Sequence, residues 1–163
     1  SLIVGSVKMC IRDRNNIAYV LVYGSLRERM GNHRLIVRVG KNLIKNDIII
    51  PGYNMKDMGA FPGIVKGNNK IVCELYKTTE ECIEGPFDML EGYNKEDPKR
   101  SFYLRKLIDL PDPVEDKGVT ITKAYIYELN QEDADEGNRY SSLHDVPKDE
   151  DNIQDWTEYK LSK

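Results

Sequence analysis

The chain is poor in the residues that most often carry chemistry. It has three cysteines, two histidines and a single tryptophan among 163 residues. Cys10, Cys73 and Cys82 are odd in number and show no CxxC spacing. That pattern argues against a disulfide framework or a zinc site, and reduced thiols are the plain expectation. With only His33 and His144, a His-rich metal site lacks ligands and a Ser-His-Asp triad finds little support. No metal and no cofactor are expected. No run approaches the roughly eighteen apolar residues that cross a bilayer. There is also no sustained basic stripe interleaved with aromatics. Neither a membrane nor a nucleic acid is therefore an expected partner, which leaves a small-molecule ligand or substrate. The oligomeric state is not legible. No internal repeat or low-complexity tract occurs. Hydrophobic residues make up 40% of the chain and charged ones 31%, a balance that reads as one soluble, cytoplasmic domain over residues 1–163.

Within that frame charge is uneven. Residues 1–127 hold 20 Lys/Arg against 16 Asp/Glu, whereas 128–158 hold 2 against 11. The acidic stretch 130–155 reads as a solvated, loop-like segment able to cover a cavity or meet a partner. At the other end, Met9-Cys10-Ile11-Arg12-Asp13-Arg14 resembles adaptor read-through in assembled environmental genes. Residues 1–15 are accordingly expected to be non-native or disordered, with the domain proper over 16–160.

Ile17 to Tyr23 is a continuous apolar, β-branched and aromatic run, which predicts a strand covered on both faces and central to its sheet. Asn32 can cap a helix that begins near His33 and stops at Gly40. Lys41–Ile50 reads as a strand or strand pair ending at Pro51-Gly52. Ile64-Val65 and Ile71–Tyr76 bracket Gly67-Asn68-Asn69, a hairpin signal. Thr78 or Thr79 can cap a further helix, with acidic residues in its first turn. Gly85-Pro86 interrupts that helix and Phe87–Gly92 resumes it. Phe102–Leu110 and Val119–Leu129 are strand-like, separated by a turn over Pro111–Lys117. Trp156 reads as an aromatic anchor for a terminal segment. About six strands with two or three helices indicate an α+β domain.

Two features carry chemistry. Gly24 and Ser25 turn the end of a buried strand so that backbone N–H groups can point into space. Glu91 follows an apolar helical pattern and offers one carboxylate. Together they suit proton abstraction from a small polar substrate, with developing charge held by backbone donors. Arg27, Arg29, Arg34 and Arg38 follow the loop; they either face solvent or set positive potential at a pocket mouth. Tyr103 is either strand packing or a pocket-wall hydroxyl. Phe61, between two breakers, reads as core more readily than as a lid.

Several short stretches occur in order along residues 18–160: Val22-Tyr23-Gly24-Ser25-Leu26-Arg27, Gly31-Asn32-His33-Arg34-Leu35, Phe61-Pro62-Gly63-Ile64-Val65 and Cys73-Glu74-Leu75-Tyr76. They continue as Leu90-Glu91-Gly92-Tyr93, Tyr103-Leu104-Arg105, Ala124-Tyr125-Ile126-Tyr127 and Asp155-Trp156. Read together, they resemble the γ-glutamylcyclotransferase-like family, including its γ-glutamylamine cyclotransferase branch. The resemblance implies a small mixed β-barrel with flanking helices and a cavity at one end. It also implies conversion of a γ-glutamyl amine or peptide to 5-oxoproline with release of the amine. In that reading Tyr23, Gly24, Ser25 and Leu26 form the loop that holds the γ-glutamyl part, with Arg27 and Tyr103 nearby, and Glu91 is the acid/base. The link between Glu91-Gly92-Tyr93 and Tyr103, and the acidic stretch before Trp156, are longer than the family's pattern. A competing expectation is a non-enzymatic module in which the same cavity sequesters an anionic small molecule such as a nucleotide signal. A third is a structural domain that binds protein through residues 130–155.

Overall fold

The computed structural model describes residues 16–24, 26–27, 30, 42–131 and 143–162. The segment 1–15, Ser25, Arg29, the expected helix after Asn32 with Arg34 and Arg38, and residues 132–142 of the acidic stretch lie outside the described residues.

Among the described residues six strands form one mixed sheet: β1 (Ile17–Val22), β2 (Asn42–Asp57), β3 (Pro62–Thr79), β4 (Tyr103–Asp116), β5 (Val119–Leu129) and β6 (Ile153–Gln154). Their order is β2-β3-β1-β5-β4, with β6 added on β3. β1 lies in the middle, antiparallel to β3 with Val20 opposite Tyr76, and parallel to β5 with Val20 opposite Tyr125. Its side chains alternate between two apolar clusters. Leu21 packs with Ile50, Met55, Ile71, Leu75 and Trp156, while Ala18, Val20 and Val22 pack with Tyr76, Ile83, Phe87 and Tyr127. An unbroken apolar run is what a strand with two covered faces requires. Among the described residues no ladder joins β2 to β4, and the expected α+β fold built on a small mixed barrel takes the form of one curved mixed sheet with few helices.

Three turn signals mark bulges instead of strand ends. β2 continues through Pro51-Gly52, with its register shifting between Pro51 and Tyr53 and Gly52 at φ 90°. β3 continues through Gly67-Asn68-Asn69, where Asn54 Oδ1 on the neighbouring strand accepts the N–H groups of Asn68 and Asn69, both at 3.2 Å. A Cβ at Gly67 would stand 2.2 Å from the Asn54 side chain, so the glycine there makes room for a cross-strand clamp. The real reversal between β2 and β3 falls at Met58–Phe61, closed by Met58 N–H to Phe61 O at 3.0 Å with Gly59 at φ 103°. Likewise β4 runs on to Asp116 with a shift between Asp109 and Val114. Its hairpin to β5 turns on Lys117 and Gly118, both with positive φ, as a two-residue turn between twisted strands demands.

Between β3 and β4 the chain is helical in short pieces: α1 (Glu80–Cys82), a π-helical turn (Ile83–Phe87) and α2 (Asp88–Leu90). Thr79 caps the start by accepting the Cys82 N–H at 3.2 Å. Pro86 does not break the segment, because the wider turn absorbs its missing N–H and Asp88 N–H reaches back to Ile83 O. Among the described residues Cys73 is a free, buried thiol, as expected. At the end of the described chain, α3 (Trp156–Leu161) is capped by Asp155 and seats a fully buried Trp156.

Candidate active site

A cavity of about 400 Å³ opens where β1 ends, between the starts of β3 and β4 and the helical segment. Tyr23, Gly24 and Leu26 come to it from β1 and the following loop, Pro62 from β3, Tyr103 from β4, and Glu91 from the turn after α2. Gly24 passes so close to β3 that a Cβ there would stand 2.7 Å from the Pro62 ring. The loop then closes on itself through Arg27 N–H to Gly24 O at 2.9 Å. The absence of a side chain at Gly24 lets the backbone reach the cavity edge.

Glu91 is placed by the end of the helix. Its N–H bonds to Phe87 O at 3.0 Å, and Gly92 then takes φ 66° to turn the chain away. Its carboxylate has no hydrogen-bond or ion-pair partner among the described residues. Burial alone therefore raises its pKa, from 4.5 to about 7. The residue is only partly buried by surface exposure. It lines the cavity.

Three tyrosines surround this carboxylate, and each has its hydroxyl hydrogen committed to the protein. Tyr23 donates to Tyr127 O at 2.6 Å, Tyr103 to Pro62 O at 2.7 Å, and Tyr127 to Asp88 Oδ1 at 2.7 Å. Asp88 is held in turn by Arg105 Nη1 at 2.8 Å, and the Arg105 guanidinium lies over the rings of Tyr93 and Tyr125. Burial raises the pKa of Asp88, although Tyr127 and Arg105 pull it the other way. Burial and, after it, the neighbouring Asp88 push the Tyr127 phenol up. Tyr23 is raised by burial, then by the charges around it, that of Glu91 included. Tyr23 and Tyr127 thus stay neutral, and all three phenols have their protons fixed away from Glu91. None of these bonds stabilises the ionised form of Glu91, so its pKa stays high.

The sequence-derived residues are not all brought together. Tyr23, Gly24, Leu26, Tyr103 and Glu91 line the one cavity. Ser25 lies outside the described residues. Arg27 does not line the cavity. It is buried and bound to Asp155 at 2.7 Å, Glu74 at 3.2 Å and Asp47 at 3.4 Å. Its place in the loop motif drew attention, but its guanidinium faces the other way, into the sheet. Phe61 lines the cavity and is 37% exposed, in contrast to the core position expected of it. Tyr127 and Pro62 carried no assigned role in the sequence. The alternation of β5 put Tyr127 on the same side as Tyr125 and Leu129, and that periodicity was the available signal.

The chain belongs to the family described as gamma-glutamyl cyclotransferase, AIG2-like, whose model matches residues 20–147. It is 32% identical over 92 residues to a Vibrio cholerae protein provisionally named gamma-glutamylcyclotransferase, covering 56% of this chain and 72% of that one. It is 29% identical over 92 residues to the gamma-glutamylcyclotransferase family protein YtfP of Escherichia coli K12, covering 56% and 73%. Among solved structures, the fold matches that of Escherichia coli YtfP with a TM-score of 0.55 at 22% identity, over 87% of this chain and 98% of that one. It also matches an AIG2-like protein from Mus musculus with a TM-score of 0.57 at 16% identity, over 80% and 87%. Among the described residues no helix is long and apolar enough to cross a membrane.

Proposed function

We propose that the protein is a γ-glutamyl cyclotransferase, converting a γ-glutamyl amine or short γ-glutamyl peptide to 5-oxoproline and a free amine. The observation that carries this reading is an unpartnered carboxyl group, Glu91, with a pKa of about 7 in the same cavity as Gly24 and Leu26. A general base works best when its pKa lies near the working pH.

In this mechanism Glu91 takes a proton from the substrate's α-ammonium. The freed amine attacks the γ-carbonyl carbon, forming the ring C–N bond and placing negative charge on the former carbonyl oxygen. Backbone N–H groups of the Gly24–Leu26 loop are the donors that would hold that charge. Collapse of the tetrahedral centre breaks the original γ-amide bond as protonated Glu91 gives its proton to the departing nitrogen; the Glu91 carboxylate then takes the second proton from the ring nitrogen and passes it to the free amine, which leaves as its ammonium. No protein nucleophile is required, and the attack is intramolecular, which removes much of the entropic barrier. The equation balances without an oxidant, a reductant or a cofactor. Retention of an anionic nucleotide finds less support. The described lining offers one carboxylate and no lysine or arginine, so a phosphate would meet repulsion there.

The test is release of 5-oxoproline from a panel of γ-glutamyl amines and peptides by wild type and Glu91→Gln. Glutamine keeps the size of the side chain but cannot accept the proton. We expect a fall in kcat of about 10²–10⁴-fold, with KM changing far less. Equal turnover by the two proteins would remove Glu91 from the mechanism, and no product from any substrate would end the reading.

A further inference from the structure

The charge and polarity of the cavity change from its depth to its mouth. Around Glu91 sit the three tyrosines with their fixed hydroxyls. The mouth carries exposed apolar side chains instead: Phe61 at 37%, Phe102 at 39% and Leu90 at 46% exposure, all lining the same cavity. Large apolar side chains exposed together around one opening are unusual on a soluble surface and mark a place where something apolar is bound. Phe61 and Phe102 meet edge to face with ring centroids 6.0 Å apart, and Phe102 meets Tyr103 likewise at 5.0 Å. The rim is thus an ordered aromatic wall continuous with the deep tyrosines.

The wall is also tied to the base. Phe102 N–H donates to Gly92 O at 3.0 Å, and a Cβ at Gly92 would lie 3.3 Å from the Phe102 Cβ. The residue directly after Glu91 is therefore tied through the backbone to the residue that carries the rim ring. Charge supplies the second half of the argument. Glu91 is the only charged side chain among the described lining residues. The nearby cations Arg27 and Arg105 are bound to carboxylates elsewhere. A leaving amine that carries its own carboxylate would find no cation among the described lining residues.

Building on the cyclotransferase reading, we propose that Phe61, Phe102 and Leu90 form a leaving-group subsite for amines bearing an aromatic or branched aliphatic group. The preferred substrates are then γ-glutamyl amides of apolar amines, over γ-glutamyl amino acids and peptides with a free carboxylate. With the γ-glutamyl part held at Gly24 and Leu26 beside Glu91, the scissile amide directs its far side outward, against the phenylalanines. An apolar pocket discriminates by about ten- to hundredfold for a group of this kind.

The experiment compares kcat/KM for γ-glutamyl-phenethylamide, γ-glutamyl-isobutylamide and γ-glutamylglycine, using wild type, Phe102→Ser and Phe61→Ser, each checked for folding by circular dichroism. We expect wild type to favour the two apolar amides over γ-glutamylglycine by about tenfold or more. Phe102→Ser should lower kcat/KM for phenethylamide about tenfold more than for γ-glutamylglycine, mainly through KM. Equal or better use of γ-glutamylglycine, or an equal loss on all three substrates, overturns the subsite. Titration with phenethylamine and with glycine, followed by the ring resonances of Phe61 and Phe102, separates the two ideas. Shifts with phenethylamine alone, in the absence of any 5-oxoproline, retain the apolar subsite and reject the cyclotransferase. Turnover without such a preference does the reverse.

Discussion

Arg27 and Glu91 are both charged groups withdrawn from bulk water, and the fold treats them in opposite ways. Around Arg27 burial works against the charge, yet Asp155 and Glu74 more than compensate, and its pKa ends above the ordinary value. Around Glu91 nothing compensates, and its carboxyl moves to about 7. The two sites are reached from the same loop, since Arg27 follows Leu26 and Leu26 lines the cavity. A buried charge with three partners holds structure in place, whereas a buried charge with none is poised to exchange a proton. Paired groups set geometry, and the unpaired one is left for chemistry.

Removing Arg27 is the most damaging way to break this contrast. Arg27→Met removes the buried guanidinium that Glu74 and Asp155 both bind, and a broken buried pair costs about 3–5 kcal/mol. Urea denaturation should show that loss of stability, and any fall in activity should follow the fraction unfolded. Removing Glu91 should act in the opposite sense. The folded chain keeps the Glu91 proton up to about pH 7, whereas an unfolded chain releases it near the ordinary value. Between those two values the folded state binds more protons, so wild-type stability falls as pH rises through that window. Glu91→Gln has no proton to lose. It should be more stable than wild type at pH 8, by at most about 3 kcal/mol, with the difference fading towards pH 4. Denaturation at the two pH values tests this, and a difference independent of pH would contradict it. The smallest effect belongs to a pair that water already satisfies. Lys123 and Asp109 meet at 2.6 Å across β4 and β5 but are 57% and 79% exposed. Lys123→Ala should change stability by less than about 0.5 kcal/mol in the same assay.

Much of the fold was legible because β1 is simple. A run covered on both faces needs no alternation, and Ile17–Val22 has none. The errors share one cause: Pro51-Gly52, Gly67-Asn68-Asn69 and Pro111–Asp112–Pro113 are breaker sequences that normally end strands. Here they sit inside long, strongly bent strands. A bulge and a turn call on the same residues, and only the partner strand decides between them. At the site, Glu91 and the Gly24 loop stood out because a carboxylate after an apolar helix and a glycine after an apolar strand are local signals. The tyrosine hydroxyls were not readable, since their partners are Tyr127 O, Pro62 O and Asp88, far apart along the chain. Arg27 was misplaced for the same reason. Sequence shows a charge beside a loop, but which side of the sheet receives it depends on Glu74 and Asp155.

The π-helical turn at Ile83–Phe87 has a consequence for how this chain can vary. Such a turn holds one residue more than a regular helix, and each helical residue rotates a side chain by about 100°. The facing of Asp88 and Glu91 is therefore a matter of counting, set several residues upstream and independent of any contact they make. A one-residue deletion between Cys82 and Asp88 could leave the helix more regular, and every cavity residue unchanged in kind, while swinging the carboxylate out of the chamber. In this fold, then, insertion and deletion are a sharper threat to the reaction than most substitutions. A relative that keeps Glu-Gly-Tyr but lacks the extra residue would keep the motif without its position.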